Sequence, residues 1–95
     1  MITTDELKVQ LADYGTAVKD LEEALAIDAS RKRVQELEHT MSRPGFYDDA
    51  ELSKKVFDEV GDLKGKLNRF EKLQGLYDDA ETMLVMLDDC LLYTS

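Results

Sequence analysis

The side chains that could perform chemistry in this sequence are few. Its one histidine, His39, follows Glu36 in a Glu-x-x-His step that would present both side chains on one face of a helix. A di-iron carboxylate site in a helical bundle needs two such steps and two further glutamates, and the second step is missing here. We therefore expect His39 to be a solvent-facing residue, and the sequence predicts no metal site.

Nucleophilic and phosphate-binding chemistry also lack their usual residues. Cys90 is the one cysteine, so the sequence offers neither a disulfide nor a cysteine-based zinc site, and no histidine base stands near it. The glycines occur singly at positions 15, 45, 61, 65 and 75, which is not the pattern of a phosphate-binding loop. The sequence therefore predicts no catalytic residue, no cofactor and no enzyme activity.

The charged residues are unevenly distributed along an acidic chain. The 95 residues include 21 Asp and Glu against 12 Lys and Arg, a net charge of -9. Free nucleic acid is therefore not an expected partner, because phosphate binding needs a basic surface. Two basic islands stand out, one formed by Arg31, Lys32, Arg33 and Arg43 and the other by Lys64, Lys66, Arg69 and Lys72. They fit either RNA contact within a larger assembly or solvated helix faces with i,i+4 ion pairs, and we favour the second.

The composition favours a single small all-α domain. Hydrophobic residues make up 43% of the chain, which excludes the composition of a disordered protein, and Leu, Ala, Glu, Asp and Lys are abundant. The longest uncharged runs, Thr82 to Leu87 and Cys90 to Ser95, are too short to span a membrane. The start of the chain lacks the basic and apolar stretches of a signal peptide. We expect a cytoplasmic protein without a membrane partner.

The first helix is predicted over residues 4–26. Thr3 and Glu6 form a capping box, and Ile2 with Leu7 predicts a hydrophobic staple. Apolar residues then recur in alternating steps of four and three, which is the a/d seam of a coiled coil. That seam consists of Leu7, Leu11, Tyr14, Val18, Leu21 and Leu25.

A second, shorter helix is predicted over residues 30–42. Asp28 and Ser30 are both plausible N-caps for it. Its apolar positions, Val34, Leu37 and Met41, continue the same spacing. The Pro44-Gly45 pair then ends the helix, because the residue before proline avoids the α region and glycine permits a positive φ.

The third helix is predicted over residues 49–88, with Asp48 as its cap and Tyr47 stapled onto Leu52. A helix of this length is about 60 Å long. Its apolar seam runs for about five heptads, from Leu52 to Leu87. This seam consists of Leu52, Val56, Val60, Leu63, Leu67, Phe70, Leu73, Tyr77, Ala80, Leu84 and Leu87.

These lengths predict how the helices pack. We expect the first helix to lie antiparallel on the third, with Leu11, Tyr14, Val18 and Leu21 buried against Val56, Leu63, Leu67 and Phe70. The third helix is about twice as long as the first, so the seam beyond Leu73 would have no partner within the chain. We therefore expect self-association of the chain through this helix.

The residues around the Pro-Gly break carry a specific resemblance. They are Ile27-Asp28, Arg33 to Glu38, Met41, Arg43 to Asp49, Val56 and Leu63-Lys64. In this order they resemble the bacterial peptide chain release factor 2 family, in which a short helix ends in a Pro-x-Phe-Trp-Asp type of turn before a long helix. Tyr47 stands where the family usually has tryptophan, and it keeps an aromatic side chain there.

The resemblance implies a role in translation termination. It covers residues 1–89, which correspond to the N-terminal helical domain. The family's motifs for reading UGA or UAA and for hydrolysing peptidyl-tRNA, Ser-Pro-Phe and Gly-Gly-Gln, do not occur in the 95 residues. Binding and positioning near the ribosomal stalk base are the implied roles. The alternative is a free-standing helical adaptor that dimerises through its heptads.

The end of the sequence departs from the family. Residues 90–95 are unlike the family's turn into an antiparallel return helix, so we expect a truncated bundle in which that helix is missing. The codons TGT CTC TTA TAC ACA TCT would encode these six residues and lie within a transposon end used in library adapters. Our hypothesis is a non-family, adapter-derived tail, and a natural divergent terminus is the alternative.

Overall fold

The protein is described by a computed structural model that covers residues 3–94, with side chains as far as Leu92. Helix α1 spans Thr4–Ala24, α2 spans Ile27–Met41 and α3 spans Ala50–Thr94, and a 3₁₀ turn at Phe46–Asp48 precedes α3. No strand occurs within residues 3–94. The predicted all-α class with three helices is confirmed.

The described chain divides into two compact units. The first, called here the α1 unit, combines the residues up to Ala24 with those from Glu71 onward. The second, the α2 unit, consists of Leu25–Phe70. Helix α3 therefore contributes its C-terminal part to the α1 unit and its N-terminal part to the α2 unit.

The core of the α2 unit forms around the Pro-Gly break. Leu37, Phe46, Val56 and Val60 are buried in one cluster, against which Met41 and Leu63 pack. The predicted seam of the second helix is confirmed, since Val34 and Leu37 are buried and Met41 is half-buried.

Buried residues outside the predicted seams complete this unit. Ile27 is fully buried and Phe46 is only 5% exposed. Ser53 is buried as well, and its hydroxyl donates a hydrogen bond of 2.8 Å to the carbonyl of Phe46. This bond fixes the 3₁₀ turn against the first turn of α3.

The α1 unit is an antiparallel helix pair. Lys8 near the start of α1 forms an ion pair of 2.6 Å with Asp88 near the end of α3, and Gly15 lies against the ring of Tyr77. The predicted burial against Val56, Leu63, Leu67 and Phe70 is wrong, because those residues belong with α2. The part of α3 that was expected to lack a partner is the part that contacts α1.

Individual residues of the predicted seam in α1 differ in burial. Val18 is buried, as expected. Tyr14 is 66% exposed and Leu21 is 37% exposed, so their predicted burial is wrong. One helix covers only part of the a/d surface of another, and the outer edge of this seam remains open to solvent.

The start of α1 shows the Thr3 half of the predicted capping box. The Glu6 amide donates to the Thr3 hydroxyl oxygen at 3.2 Å. The predicted staple involves Ile2, which lies outside the described residues. Helix α1 ends at Ala24, two residues before its predicted end.

The start of α2 differs from the prediction. Ala26 adopts a left-handed conformation with φ 50° and ψ 52°, and α2 begins directly after it without a side-chain cap. Asp28 and Ser30 therefore lie inside the helix, where Asp28 pairs with Arg31 and Ser30 is buried. The left-handed turn at Ala26 allows α2 to begin at once with Ile27, which is fully buried.

The start of α3 is capped one residue later than predicted. Asp48 lies in the 3₁₀ turn, so Asp49 is extended and its carboxylate accepts a hydrogen bond of 3.0 Å from the Leu52 amide. Tyr47 is 70% exposed and lies edge-on to Phe46 at 5.1 Å, in place of the predicted staple onto Leu52. The helix continues to Thr94, beyond its predicted end at residue 88.

Candidate binding surfaces

The first basic island lies on α2 and in the turn after it, and much of its charge is paired within the protein. Arg33 donates to both oxygens of Glu59, at 2.8 and 3.2 Å, and to Glu36 at 3.3 Å. Arg31 pairs with Asp28. In place of the predicted i,i+4 ion pairs, Arg31 and Arg33 form i,i+3 pairs on α2. The pair between Arg33 and Glu59 joins α2 to α3.

The electrostatic effect of the Arg33 pair appears in the pKa values. Its hydrogen bond lowers the pKa of Glu59, and the acceptors Glu59 and Glu36 raise the pKa of Arg33. Because all three side chains are exposed to water, the pair positions α2 against α3 and contributes little to stability.

The second basic island is divided between the two units and is also engaged. Lys64 pairs with Glu38 of α2 at 3.0 Å, and the Lys66 amine donates to the Leu25 carbonyl at 2.9 Å. Lys72 belongs to the α1 unit. Lys64 and Lys66 therefore serve contacts within the protein, which supports the solvated-face interpretation.

An aromatic group marks the Pro-Gly break on the surface of the α2 unit. The rings of Phe46, Tyr47 and Phe57 lie within 5.1 to 6.2 Å of one another. Phe46 is buried, whereas Tyr47 and Phe57 are exposed to 70% and 43%. The group stabilises the corner between α2 and α3 and presents two aromatic faces to solvent.

The α1 unit contains an apolar groove with a volume of about 250 Å³. Six apolar side chains line it: Leu7, Leu11, Ala80, Met83, Leu84 and Leu87. Among them, Met83 is 69% exposed and Leu87 is 41% exposed. The sequence interpretation missed Met83, although the steps of four, three and four from Leu76 through Ala80 and Met83 to Leu87 indicate a second seam.

The net charge of the protein lies entirely in the α1 unit. Twelve acidic and three basic residues fall in this unit, and nine of each fall in the α2 unit. Near the groove, Lys8 is paired with Asp88, and this hydrogen bond raises the pKa of Lys8. The unit that contains the groove is therefore strongly acidic as a whole.

The residues considered for metal and nucleophilic chemistry remain on the surface. His39 is exposed on α2, as predicted, and the Glu36 carboxylate that precedes it is bound to Arg33. Cys90 is exposed on α3. Within the part of the chain that the structure describes, no three His, Cys, Asp or Glu side chains are grouped so that they could hold a metal ion.

Within the described residues, no helix has both the length and the apolar composition that a membrane-spanning segment needs.

The chain is similar in sequence to peptide chain release factor 2 from several bacteria. It is 36% identical over 75 residues to the protein of Acholeplasma laidlawii (strain PG-8A), a match that covers 79% of this chain and 20% of that protein. It is 33% identical over 88 residues to the protein of Lactiplantibacillus plantarum, a match that covers 93% of this chain and 23% of that protein. The protein of Mycobacterium avium (strain 104) is 31% identical over 72 residues, and this match covers 76% of this chain and 20% of that protein.

The resemblance drawn from the residues around the Pro-Gly break is confirmed by these relatives. The chain spans about a fifth of the length of the curated relatives it matches. No family model matches the chain, and no solved structure is significantly similar to it.

Proposed function

We propose, from the homology of this chain to peptide chain release factor 2, that it is the N-terminal helical domain of a translation-termination factor. The observation that carries the proposal is the match of 93% of the chain to one such protein. The matched chain includes the turn from Arg43 to Asp49, whose residues hold the corner between α2 and α3 through the buried Phe46.

The proposed role is binding and positioning on the ribosome near the stalk base, in the cytoplasm. Codon reading and peptidyl-tRNA hydrolysis belong to other parts of such a factor, since their Ser-Pro-Phe and Gly-Gly-Gln motifs do not occur in these 95 residues. Two helix pairs with no grouped metal ligands among the described residues suit a role in binding. The whole factor would act at UGA and UAA codons.

A chimaeric release factor tests this proposal. Residues 1–89 would replace the matching segment of the Acholeplasma laidlawii protein, and peptide release would be measured on ribosomes stalled at UGA, UAA and UAG. We expect release at UGA and UAA at a rate near that of the parent, with a weaker apparent affinity when the segment is deleted. A chimaera that binds ribosomes no better than the deletion variant contradicts the proposal.

A matched pair of variants makes the chimaera more specific. Phe46→Ala removes the buried ring that fixes the α2–α3 corner, whereas Tyr47→Ala removes the exposed ring next to it. If the corner positions the domain, Phe46→Ala weakens ribosome binding far more than Tyr47→Ala does. The reverse order would identify the exposed ring as a direct contact.

Self-association through α3 distinguishes the alternative function of a dimerising adaptor. Self-association remains a prediction. It was expected because the seam of α3 beyond Leu73 would have no partner, and this reason is weaker now that α1 lies along that part of α3. Sedimentation velocity at several protein concentrations tests it. A dimer at micromolar concentration would support the adaptor, and a monomer would favour the ribosomal role.

A further inference from the structure

The outward face of α2 carries basic side chains that make no contact within the protein. Lys32 and His39 are seven residues apart, so they lie on one face of the helix, and both are exposed. Val34 and Leu37 lie on the opposite face and are buried. Within the described residues, the side chains of Lys32 and His39 form neither an ion pair nor a hydrogen bond.

Arg43 extends this face past the end of α2. Ser42 keeps a right-handed helical backbone, with φ -84° and ψ -6°, and the Arg43 amide donates to the Thr40 carbonyl at 3.2 Å. The helical path therefore reaches Arg43, which follows His39 by four residues and is exposed. Its guanidinium also has no partner within the described residues. We call Lys32, His39 and Arg43 the α2 outer face, which is about 16 Å long at 1.5 Å per residue.

The acidic residues of α2 do not cancel the charge of this face. Each of them is paired with one base: Asp28 with Arg31, Glu36 with Arg33, and Glu38 with Lys64. From Ile27 to Gly45, the charges that remain are those of Lys32 and Arg43, and both are positive. The solvated-face interpretation therefore fits the paired bases of the two islands, whereas Lys32 and Arg43 remain available to a partner.

The chemistry of the α2 outer face indicates the class of partner. A protein partner is usually held by buried apolar or aromatic anchors, and a membrane surface takes an amphipathic helix by its apolar side. The α2 outer face has polar side chains alone, and exposed Gln35 between Lys32 and His39 is polar as well. Phosphate groups need only such cations and N–H donors, and these contacts fix position without reading a base sequence.

We propose that the α2 outer face binds the phosphate backbone of RNA in the ribosome. Lys32 and Arg43 would each contact a phosphate, and the ring of His39 would donate a hydrogen bond to one between them. This inference rests on the proposed ribosomal role, because the net charge of -9 makes free RNA a poor ligand for the chain. On the ribosome, the rest of the factor would hold this domain close to the RNA and raise the effective concentration of phosphate.

The salt dependence of ribosome binding tests the phosphate contacts. The chimaeric release factor would carry Lys32→Gln and Arg43→Gln together, and its affinity for ribosomes stalled at UGA would be measured from low to high salt. Each phosphate contact contributes about 0.7 to 0.9 to the slope of log affinity against log salt, so the double variant should have a slope shallower by about 1.5. The conservative pair, Lys32→Arg with Arg43→Lys, should keep the slope of the unaltered chimaera.

A charge-matched control uses Lys54→Gln with Lys55→Gln. Both lysines are exposed on α3 in the same unit, and their side chains have no partner within the described residues. This control changes the net charge by the same amount as the double variant, so a general electrostatic attraction would affect both equally. We expect the control to keep the slope of the unaltered chimaera.

A photocrosslinker on the α2 outer face distinguishes RNA from protein as the partner. The residue p-azidophenylalanine would replace Gln35 in the chimaera, and the ribosome-bound factor would be irradiated. We expect a crosslinked product that ribonuclease reduces to nearly the mass of the chimaera. A product that resists ribonuclease would place this face against a ribosomal protein and overturn the proposal.

The other outcomes separate this inference from the proposed function. An unchanged slope in the double variant, with normal binding and peptide release by the chimaera, would overturn this inference alone. An equally shallow slope in the Lys54 and Lys55 control would also overturn it, because the attraction would then be general. A chimaera that binds ribosomes no better than the deletion variant would overturn the proposed function and this inference with it.

Discussion

At the scale of single residues, exposed charges in this protein position helices. Arg33 shows this most clearly, because one guanidinium joins Glu59 of α3 and Glu36 of its own helix. The hydrogen bond to Arg33 lowers the pKa of Glu59. Sequence spacing identified Arg33 as one member of a basic island, and only the folded structure assigns its partner on another helix.

We predict that Arg33→Ala raises the pKa of Glu59 toward its ordinary value. A group whose pKa is lowered by folding stabilises the protein above its unfolded pKa, and this contribution is lost as the pH falls through the folded pKa. The variant should therefore lose more stability at pH 7 than at pH 3. Carboxyl carbon NMR titration measures the shift, with Arg31→Ala as the control because Arg31 pairs with Asp28. An unchanged Glu59 titration in Arg33→Ala would contradict the assignment.

Two backbone positions with positive φ give a second residue-scale prediction. Ala26 has a φ of 50° and Gly45 has a φ of 80°. An L-residue with a Cβ is disfavoured in this region by about 1 kcal/mol, whereas glycine is not. Ala26→Gly should therefore increase the free energy of unfolding, and Gly45→Ala should decrease it by a similar amount. Urea denaturation measures both, and two changes of the same sign would argue against these turn conformations.

At the scale of elements, the helix pairs are fixed by close contacts at a few positions. In the α1 unit, Gly15 leaves room for the ring of Tyr77, and a Cβ built on Gly15 would come within 2.8 Å of the ring's Cζ. A hydrogen bond with Glu81 raises the pKa of Tyr77. The glycine that weakens α1 by itself is therefore the residue that permits close approach of α3.

We predict opposite effects for alanine at two glycines of the α1 unit. Gly75 has no atom within 4 Å of a built Cβ, so Gly75→Ala should stabilise the protein by about 1 kcal/mol through helix propensity. Gly15→Ala gains the same propensity but must displace Tyr77, so it should destabilise the protein. Thermal unfolding followed by circular dichroism measures both. Equal stabilisation by the two substitutions would show that Tyr77 does not pack on Gly15.

At the scale of the whole molecule, charge and burial follow the division into two units. The α2 unit is electrically neutral and contains most of the buried apolar residues, including Ile27, Leu37 and Phe46. The α1 unit carries the full net charge of -9 and has Val18 as its buried apolar residue within the described side chains. The α2 unit therefore contains most of the buried apolar core, and the α1 unit leaves more of its apolar surface open to solvent.

We predict that the purified chain releases no peptide from ribosomes stalled at a stop codon. Its sequence has no Gly-Gly-Gln motif, and its described residues form two helix pairs in which His39 is exposed and Glu36 is bound to Arg33. Release of labelled peptide above the buffer rate would contradict this prediction. The full-length release factor from Acholeplasma laidlawii serves as the positive control.

The number and type of the secondary-structure elements could be predicted from the amino-acid sequence. Heptad spacing, the Thr3 cap and the Pro44-Gly45 break predicted three helices and the turn between the last two, because these features act over a few neighbouring residues. The residues of that turn also carried the resemblance to release factor 2. Local signals were less precise at helix starts, where burial of Ile27 overrode the caps expected at Asp28 and Ser30.

The part of α3 that contacts α1 could not be predicted from the sequence and is seen in the folded protein. The seam of α3 repeats the same four–three spacing for about five heptads, so the shorter seam of α1 fits either part equally well in the sequence. Packing of α2 on the first part, the space above Gly15 for Tyr77 and the ion pair between Lys8 and Asp88 select the second part. Each of these contacts joins residues far apart in the chain, and a repeating pattern of apolar spacing does not predict which distant residues meet.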